Sequence, residues 1–240
     1  MIKLFSKIRY NLIEKSKTGK YLKYAVGEIV LVVIGILIAL SLNNWNQQRN
    51  LKNEEIKLLK ELKAALLSDK ADIIANIEEH ASTAISCTIL LSAISENLPY
   101  HDSLDFHFAN ALNTTKFGHT SSPYETLKIK GPDLIENDSL RLMLNAYFER
   151  SVGYQFDLQK ATQRGFEAAK ERQFELFTSL RFWDEMKPVN YTHLKENVYY
   201  NSWLTYTLGE REWEAEQFQK LKTQIDGLLN LLDSEIKMNN

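Results

Sequence analysis

The chain has 240 residues, of which 44% are hydrophobic and 25% charged, and its formal net charge is −2 at pH 7. A charge this close to zero excludes the basic surface that nucleic-acid binding needs, so we expect no nucleic-acid partner. The single cysteine, Cys87, excludes a disulfide framework within the chain, and 9 glycines with 4 prolines favour long helices over a loop-rich fold.

Residues 1–23 form a basic segment. They carry seven lysines and arginines against one acid, whereas residues 46–61 carry four against three acids. Because an excess of Lys and Arg stays on the cytoplasmic side, we expect a cytoplasmic N-terminus and a periplasmic C-terminal part. Apolar and basic residues alternate over residues 2–13, which leaves two interpretations open: a short amphipathic helix on the inner leaflet, or a tail that only orients the chain.

The next stretch, residues 25–42, reads AVGEIVLVVIGILIALSL, with Glu28 as its only charged side chain. A helix needs about 20 apolar residues to cross a hydrocarbon core of about 30 Å. A buried core helix is rarely this apolar for so long, and a cleavable signal peptide has a shorter apolar region with a small-residue cleavage site. We therefore predict one transmembrane helix over residues 24–45, with Trp45 at the interface.

Four residues of this segment are candidates for anchoring or association: Glu28, Gly35, Ala39 and Trp45. Gly35 and Ala39 form a small-x-x-x-small pair, which lets two membrane helices approach closely. Glu28 either reaches the headgroups and nearby lysines or contacts a partner inside an oligomer. The expected partners of the segment are membrane lipid and a second copy of the same helix.

Two stretches carry a resemblance. The run YAVGEIVLVVIGILIALSLNNWN, after a basic KIRY start, resembles a family of uncharacterised bacterial single-pass membrane proteins, a domain of unknown function. The later block SSPYETLKIKGPDLIENDSLR is similar to a second block of that family. The resemblance implies an envelope protein of Gram-negative type bacteria with its large part in the periplasm, and it implies no activity.

Beyond the apolar stretch the sequence predicts a long helix. Residues 36–98 contain no glycine or proline, and apolar residues recur at steps of three and four. This period predicts that the membrane helix continues as a stalk-like helix to about Asn97, where Pro99 stops it.

The segment 99–137 is predicted to form a distal cap built from short helices. Ser103 precedes a helix that ends near Leu112. Residues 122–125 read SPYE, a capping box with proline at the first helical position, and open a helix to about Lys130.

Two further long helices follow, one capped by Asp138 and one over about residues 192–237, with a break at 182–191. No strand pattern of useful length appears. Each long helix has a single apolar stripe and needs partners, which predicts an all-α fold: one N-terminal transmembrane helix continuing into an elongated antiparallel helical bundle, residues 46–240. In that bundle the second helix returns toward the membrane, so the break lies beside residues 45–53.

Catalytic motifs are missing from the sequence. It has no Gly-rich phosphate loop, no G-x-S-x-G elbow, no H-E-x-x-H and no C-x-x-C, and we expect no cofactor and no metal. His101, Asp102 and Asp105 leave a metal site as a weak alternative to solvated polar side chains. A group of aromatic residues is predicted to form bundle core or interface rather than a ligand cage: Phe174, Phe177, Phe182, Trp183, Tyr199, Tyr200, Trp203 and Trp213.

These observations predict a membrane-anchored periplasmic helical protein, in the inner membrane, that acts as a scaffold or sensory-type interaction module. Its partner would be another envelope protein, which the sequence does not identify. The alternative is a periplasmic enzyme or ligand-binding domain with its site in the 99–137 cap. We favour the non-enzymatic interpretation because no catalytic motif accompanies the cap.

Overall fold

The computed structural model describes residues 18–181 and 184–239, with side chains from Leu22 onward. The described residues fall into two compact units that divide after Glu54. Helix α1, Thr18–Ser95, begins in the first unit and ends in the second.

The remaining helices and strands all belong to the second unit. In chain order they are α2 (Leu104–Ala111), α3 (Ser122–Lys130), α4 (Asp138–Asn145), α5 (Val152–Leu176), β1 (Phe177–Leu180), β2 (Met186–Pro188), α6 (Tyr191–Glu196) and α7 (Val198–Met238). A short 3-10 turn, Pro132–Leu134, precedes α4, and a π-helical turn, Ala146–Ser151, joins α4 to α5. The helical content of the described residues confirms the all-α class.

The end of α1 lies where the sequence predicts it. Asn97 has a positive φ of 52°, a backbone conformation that asparagine tolerates better than most residues. The Leu98 amide donates back to the Ala93 carbonyl at 2.9 Å, which closes the helix in the manner of a left-handed C-terminal cap. The chain therefore leaves α1 just before Pro99.

The second long helix starts as expected but with a different cap. Asn137, rather than Asp138, is the N-cap, and its side chain accepts a hydrogen bond from the Leu140 amide at 3.0 Å. Helical structure then continues through the π-helical turn into α5, and neither Gly153 nor Gly165 ends it.

A two-stranded antiparallel hairpin follows α5, where no strand was predicted. Leu180 pairs with Met186, and Phe177 pairs with Pro188. Strands of four and three residues are too short to show a period-2 pattern. Phe177 and Met186 are buried in the domain, so burial of these two side chains stabilises the hairpin.

The third long helix is interrupted near its start. Helix α6 ends at Glu196, and the Asn197 side chain accepts from the Tyr200 amide at 2.9 Å, which begins α7 as a new helix. Beyond this point α7 continues to Met238 without ending at Gly209.

The predicted direction of the second long helix is wrong. The Glu136 amide donates to Glu55 Oε1 at 3.0 Å, and the Tyr147 hydroxyl donates to Asp69 Oδ2 at 2.7 Å. Glu136 lies just before α4 and Tyr147 in the π-helical turn that follows it, so this part of the chain runs in the same direction as α1. Helix α7 is the antiparallel one, since Asp226 Oδ1 lies 2.6 Å from Lys70 Nζ.

The 99–137 segment explains this difference, because it is not a cap. It runs back along α1: Asn110 donates to Ser86 Oγ at 2.9 Å, and farther on the Thr120 amide donates to Asp69 Oδ1 at 2.9 Å. The 99–137 segment, and not the second long helix, therefore runs antiparallel to α1 directly after it.

The position of the break at 182–191 therefore also differs from the predicted one. Lys187 Nζ lies 3.6 Å from Asp105 Oδ2, and the Tyr191 ring lies 5.5 Å from that of Tyr100. The break packs beside the 99–112 region, and its predicted position beside residues 45–53 is wrong. Phe182 and Trp183, which motivated an interfacial role for this loop, lie outside the described residues.

Two apolar cores fill the domain. The first is built around Leu62, Leu66, Leu144 and Ile225. The second is built around Cys87, Phe108, Phe177, Tyr200 and Leu204. Both use residues of α1 and α7, so the same two helices connect them.

Candidate functional site

A layer of buried polar side chains separates the two cores. On α1 it lies between Ile73 and Cys87, and on α7 between Leu204 and Phe218. We call it the polar layer and define it by seven residues that are all under 5% exposed: Asn76, His80, Thr83, Gln155, Thr207, Arg211 and Glu214. Burying polar groups costs free energy unless they are paired, so their contacts decide what the layer can do.

The charged pair of the layer comes from one face of α7. Arg211 donates to Glu214 Oε2 at 2.6 Å, and both side chains are almost fully buried. Thr162 of α5 donates to Glu214 Oε1 at 2.5 Å. Both carboxylate oxygens of Glu214 are therefore engaged, as a buried charge requires.

His80 completes the layer from α1. Its Nε2 lies 3.0 Å from Thr115 Oγ1, and its ring stacks on Phe218 at 5.6 Å between centroids. Burial lowers the pKa of His80 to about 4; Glu214, 3.4 Å from Nδ1, opposes this shift and Arg211 adds to it. Desolvation outweighs the carboxylate, so the imidazole is neutral at neutral pH.

A second buried polar cluster surrounds Asp69, which is 1% exposed. Its carboxylate accepts from the Thr120 amide at 2.9 Å and from the Tyr147 hydroxyl at 2.7 Å, and it lies 2.7 Å from His119 Nδ1. Burial is the main cause that raises the pKa of Tyr147, with the adjacent carboxylate adding to it. These contacts join α1, the 113–121 connection and the π-helical turn at a single side chain.

The cavity beside the polar layer is small. It encloses about 10 Å³ and is lined by His80, Thr115, Arg211 and other residues of the layer. One water molecule needs at least about 10–15 Å³. Within the part of the chain that the structure describes, this cavity therefore holds one water molecule at most and is too small for a substrate.

The 99–137 segment also borders an open surface groove of about 470 Å³. Its polar groups do not converge on the groove. Asp72 accepts from the Gly118 amide and from Asn76 Nδ2, both at 2.9 Å, and Glu79 accepts weakly from Asn113 at 3.4 Å. This geometry does not support the alternative of a catalytic or ligand site in that segment.

The metal alternative finds no support in the described residues. No group of three or more His, Cys, Asp or Glu side chains there could hold a metal ion. His101 Nδ1 lies 2.8 Å from Ser103 Oγ, and Asp105 accepts from the Tyr100 hydroxyl at 2.6 Å. These side chains are therefore occupied by local hydrogen bonds.

The predicted aromatic group divides between core and surface. Phe177 and Tyr200 are buried, whereas Phe174 is 47% and Trp213 41% exposed. Tyr199 lies under the Arg172 guanidinium at 4.6 Å from its ring centroid. The core role is thus confirmed for Phe177 and Tyr200, and Trp203 packs against the same core with its ring 5.7 Å from that of Tyr200.

The four predicted anchor residues all lie on the part of α1 that belongs to the first unit. Gly35 and Ala39 are exposed, and a Cβ on Gly35 would meet no other atom within 4 Å. Trp45 is 60% exposed, with the Arg49 guanidinium 5.7 Å from its ring centroid. Glu28 is partly covered.

Together these features define an all-α protein with one described helix that is long and apolar enough to cross a membrane. The chain belongs to DUF6090, a family of unknown function, which matches residues 28–165. No curated protein and no solved structure matches the chain. The matched region begins at Glu28 and includes Asp69 and His80, but ends before Arg211 and Glu214 of α7.

Proposed function

We propose that the protein is a single-pass inner-membrane protein whose helical domain acts in the periplasm through protein contacts, as a scaffold or sensory-type module. Helix α1 crosses the bilayer over residues 24–45, with the N-terminus in the cytoplasm. The observation that carries this proposal is the surface of α1: every side chain from Ile29 to Asn50 is exposed, although most of residues 29–42 are apolar. Water disfavours such a surface and lipid tails favour it.

Two further observations support the proposal. The seven Lys and Arg residues of segment 1–23 orient the helix with that segment inside. In the domain, the cavity beside the polar layer has a volume of only about 10 Å³, far below the few hundred Å³ of small-molecule sites. The open groove of about 470 Å³ is large enough, but its polar groups do not converge on it. Protein contact therefore suits the domain better than catalysis.

The topology can be tested with reporters fused after Asn240. A reporter that is active only in the periplasm is expected to give signal, and one that is active only in the cytoplasm is expected to give none, because the basic segment stays inside. Fusions that end at Lys23, ahead of the apolar stretch, provide the matched control with the opposite pattern. The reverse result after Asn240 would contradict both the orientation and the periplasmic domain.

We also propose that α1 self-associates inside the membrane through Gly35 and Ala39. Replacing Gly35 with leucine fills the surface that allows close approach. We expect Gly35→Leu to lower the dimer association constant about tenfold, a loss on the order of 1.4 kcal/mol, and so to lower the fraction of chemically crosslinked dimer in membranes. Val33→Leu, on the opposite face of the helix, is the control, and equal crosslinking of all three proteins would exclude this surface.

A further inference from the structure

A second surface of α1, within the helical domain, has the pattern of a helix-pairing seam. Exposed side chains recur along it at alternating steps of three and four: Ala64, Leu67, Ala71, Ile74, Glu78, Ala81, Ile85, Thr88 and Ser92. We call this set the α1 stripe. It lies opposite the residues that α1 buries against the rest of its own domain.

The exposed surface of α1 in this region differs in composition from the exposed surface of α5. Of the 11 exposed side chains of α1 between residues 64 and 92, Glu78 is the only charged one. Of the 12 exposed side chains of α5, seven are charged: Asp157, Lys160, Arg164, Glu167, Glu171, Arg172 and Glu175. Helix α5 thus has the surface expected of a helix facing water, and α1 does not.

The spacing indicates what kind of partner fits. Alternating steps of three and four average 3.5 residues, the period at which a helix keeps one stripe against a second, nearly parallel helix. Leu67, Ile74 and Ile85 are the large side chains of the stripe, and they are 48%, 36% and 59% exposed. Ala64, Ala71 and Ala81 between them would let two backbones approach closely.

We propose that a second copy of this chain covers the α1 stripe, so that two α1 helices pair in parallel and in register. This inference rests on the proposed function, because copies anchored in one membrane face the same way. Identical stripes then meet along their whole length, and the contact is self-complementary about a two-fold axis.

The charges beside the stripe are compatible with this pairing. Lys63 Nζ lies 2.5 Å from Asp233 Oδ1, and Lys70 Nζ lies 2.6 Å from Asp226 Oδ1, so both flanking lysines are neutralised within their own chain. Two copies would therefore bring no unpaired lysines together at the edges. Glu78 is the exception, because in a parallel pair it faces its own counterpart.

The area of the stripe explains why the anchor matters. Nine positions spanning residues 64–92 give a length of about 42 Å and, at a helix width of about 10 Å, about 400 Å² per copy. Stable interfaces bury about 600 Å² or more per partner. Pairing through the stripe is thus weak in dilute solution and favoured where the membrane raises the local concentration.

Cysteine crosslinking of the full-length chain in membranes tests the arrangement. We expect disulfide-linked dimers on mild oxidation of the separate variants Ala64→Cys, Ala71→Cys, Ala81→Cys and Thr88→Cys. Gln219→Cys, at an exposed position of α7, is the control and should stay monomeric. The native Cys87 is buried and should contribute no crosslink of its own.

The pattern along the stripe separates the possible outcomes. Crosslinks at both ends and in the middle mean a parallel pair in register. Crosslinks confined to Ala81→Cys mean an antiparallel pair and would overturn the proposal, as would crosslinks no stronger than those of Gln219→Cys. The C-terminal reporter fusion reads the proposed topology independently, so a correct topology without stripe crosslinks rejects this inference alone.

Substitutions within the stripe give a second readout. In the Thr88→Cys background, Leu67→Glu with Ile85→Glu should lower the dimer fraction at least about tenfold, because charges replace buried apolar contacts. Glu78→Leu should raise the fraction severalfold by removing the facing carboxylates. Phe174→Glu, at an exposed apolar position of α5, is the matched control. Circular dichroism should show all variants folded, and equal dimer fractions across them would contradict the proposal.

Discussion

Replacing Asp69 with alanine is expected to lower the free energy of unfolding of the helical domain by about 3–5 kcal/mol, the range for breaking a buried charged network. Asp69 is 1% exposed and accepts hydrogen bonds from Thr120 and Tyr147, with His119 Nδ1 also at hydrogen-bond distance. Alanine leaves these groups buried without their acceptor and opens a void beside them. The loss should be among the largest for a single residue because three separate segments meet at this carboxylate.

The measurement is unfolding of the full-length chain in detergent micelles by guanidinium chloride, followed by the helical circular dichroism signal. Asp72→Ala is the matched control: Asp72 lies one turn along the same helix, is only partly buried and accepts from Gly118 and Asn76. We expect about 1–2 kcal/mol for this control, and an intermediate loss for Asp69→Asn, which keeps the shape. Equal losses for Asp69→Ala and Asp72→Ala would show that the Asp69 cluster has no special role.

The sequence predicts local features of this fold better than its topology. The end of α1 near Asn97 is fixed by local signals, the proline and the C-terminal cap, and it was predicted within two residues of Ser95. The relative directions of the helices depend instead on the 99–137 segment. Its short helices cover the length of α1, which only long-range contacts such as that between Thr120 and Asp69 reveal.

The polar layer was missed although the sequence carries a signal for it. Apolar residues recur at helical spacing in this region as Leu204, Leu208, Ala215 and Phe218, while the buried face between Leu204 and Phe218 runs through Thr207, Arg211 and Glu214. A buried Arg and Glu three residues apart on a core face can also indicate an internal ion pair, which is their arrangement here.

Acidification is expected to destabilise the domain through His80. Its pKa falls from 6.5 in the unfolded chain to about 4 in the folded protein, with burial as the main cause. Between these two values the unfolded chain binds a proton that the folded protein excludes, so the free energy of unfolding falls as pH falls. The contribution is complete above about pH 6.5, and about 3 kcal/mol is lost on reaching pH 4.

The charged groups that face His80 adjust the pKa shift that burial causes. Glu214 lies 3.4 Å from Nδ1 and favours the protonated ring, whereas Arg211, bonded to the same carboxylate, disfavours it. Glu210 lies 3.6 Å from Arg211, and its own burial raises the pKa of its carboxyl. Protonation of Glu210 therefore favours the folded state on acidification, opposite in sign to His80.

A comparison of variants isolates the histidine from these other groups. We expect His80→Gln to flatten the fall in the free energy of unfolding between pH 7 and pH 4.5, because glutamine keeps a hydrogen-bonding group near Thr115 and cannot gain a proton. His107, whose pKa burial also lowers, and Glu210 remain in every variant, so their contributions cancel in the difference. His101→Gln, at an exposed site, should leave the slope unchanged. If His80→Gln and the natural protein lose stability in parallel, the imidazole is not the group that makes this domain sensitive to acid.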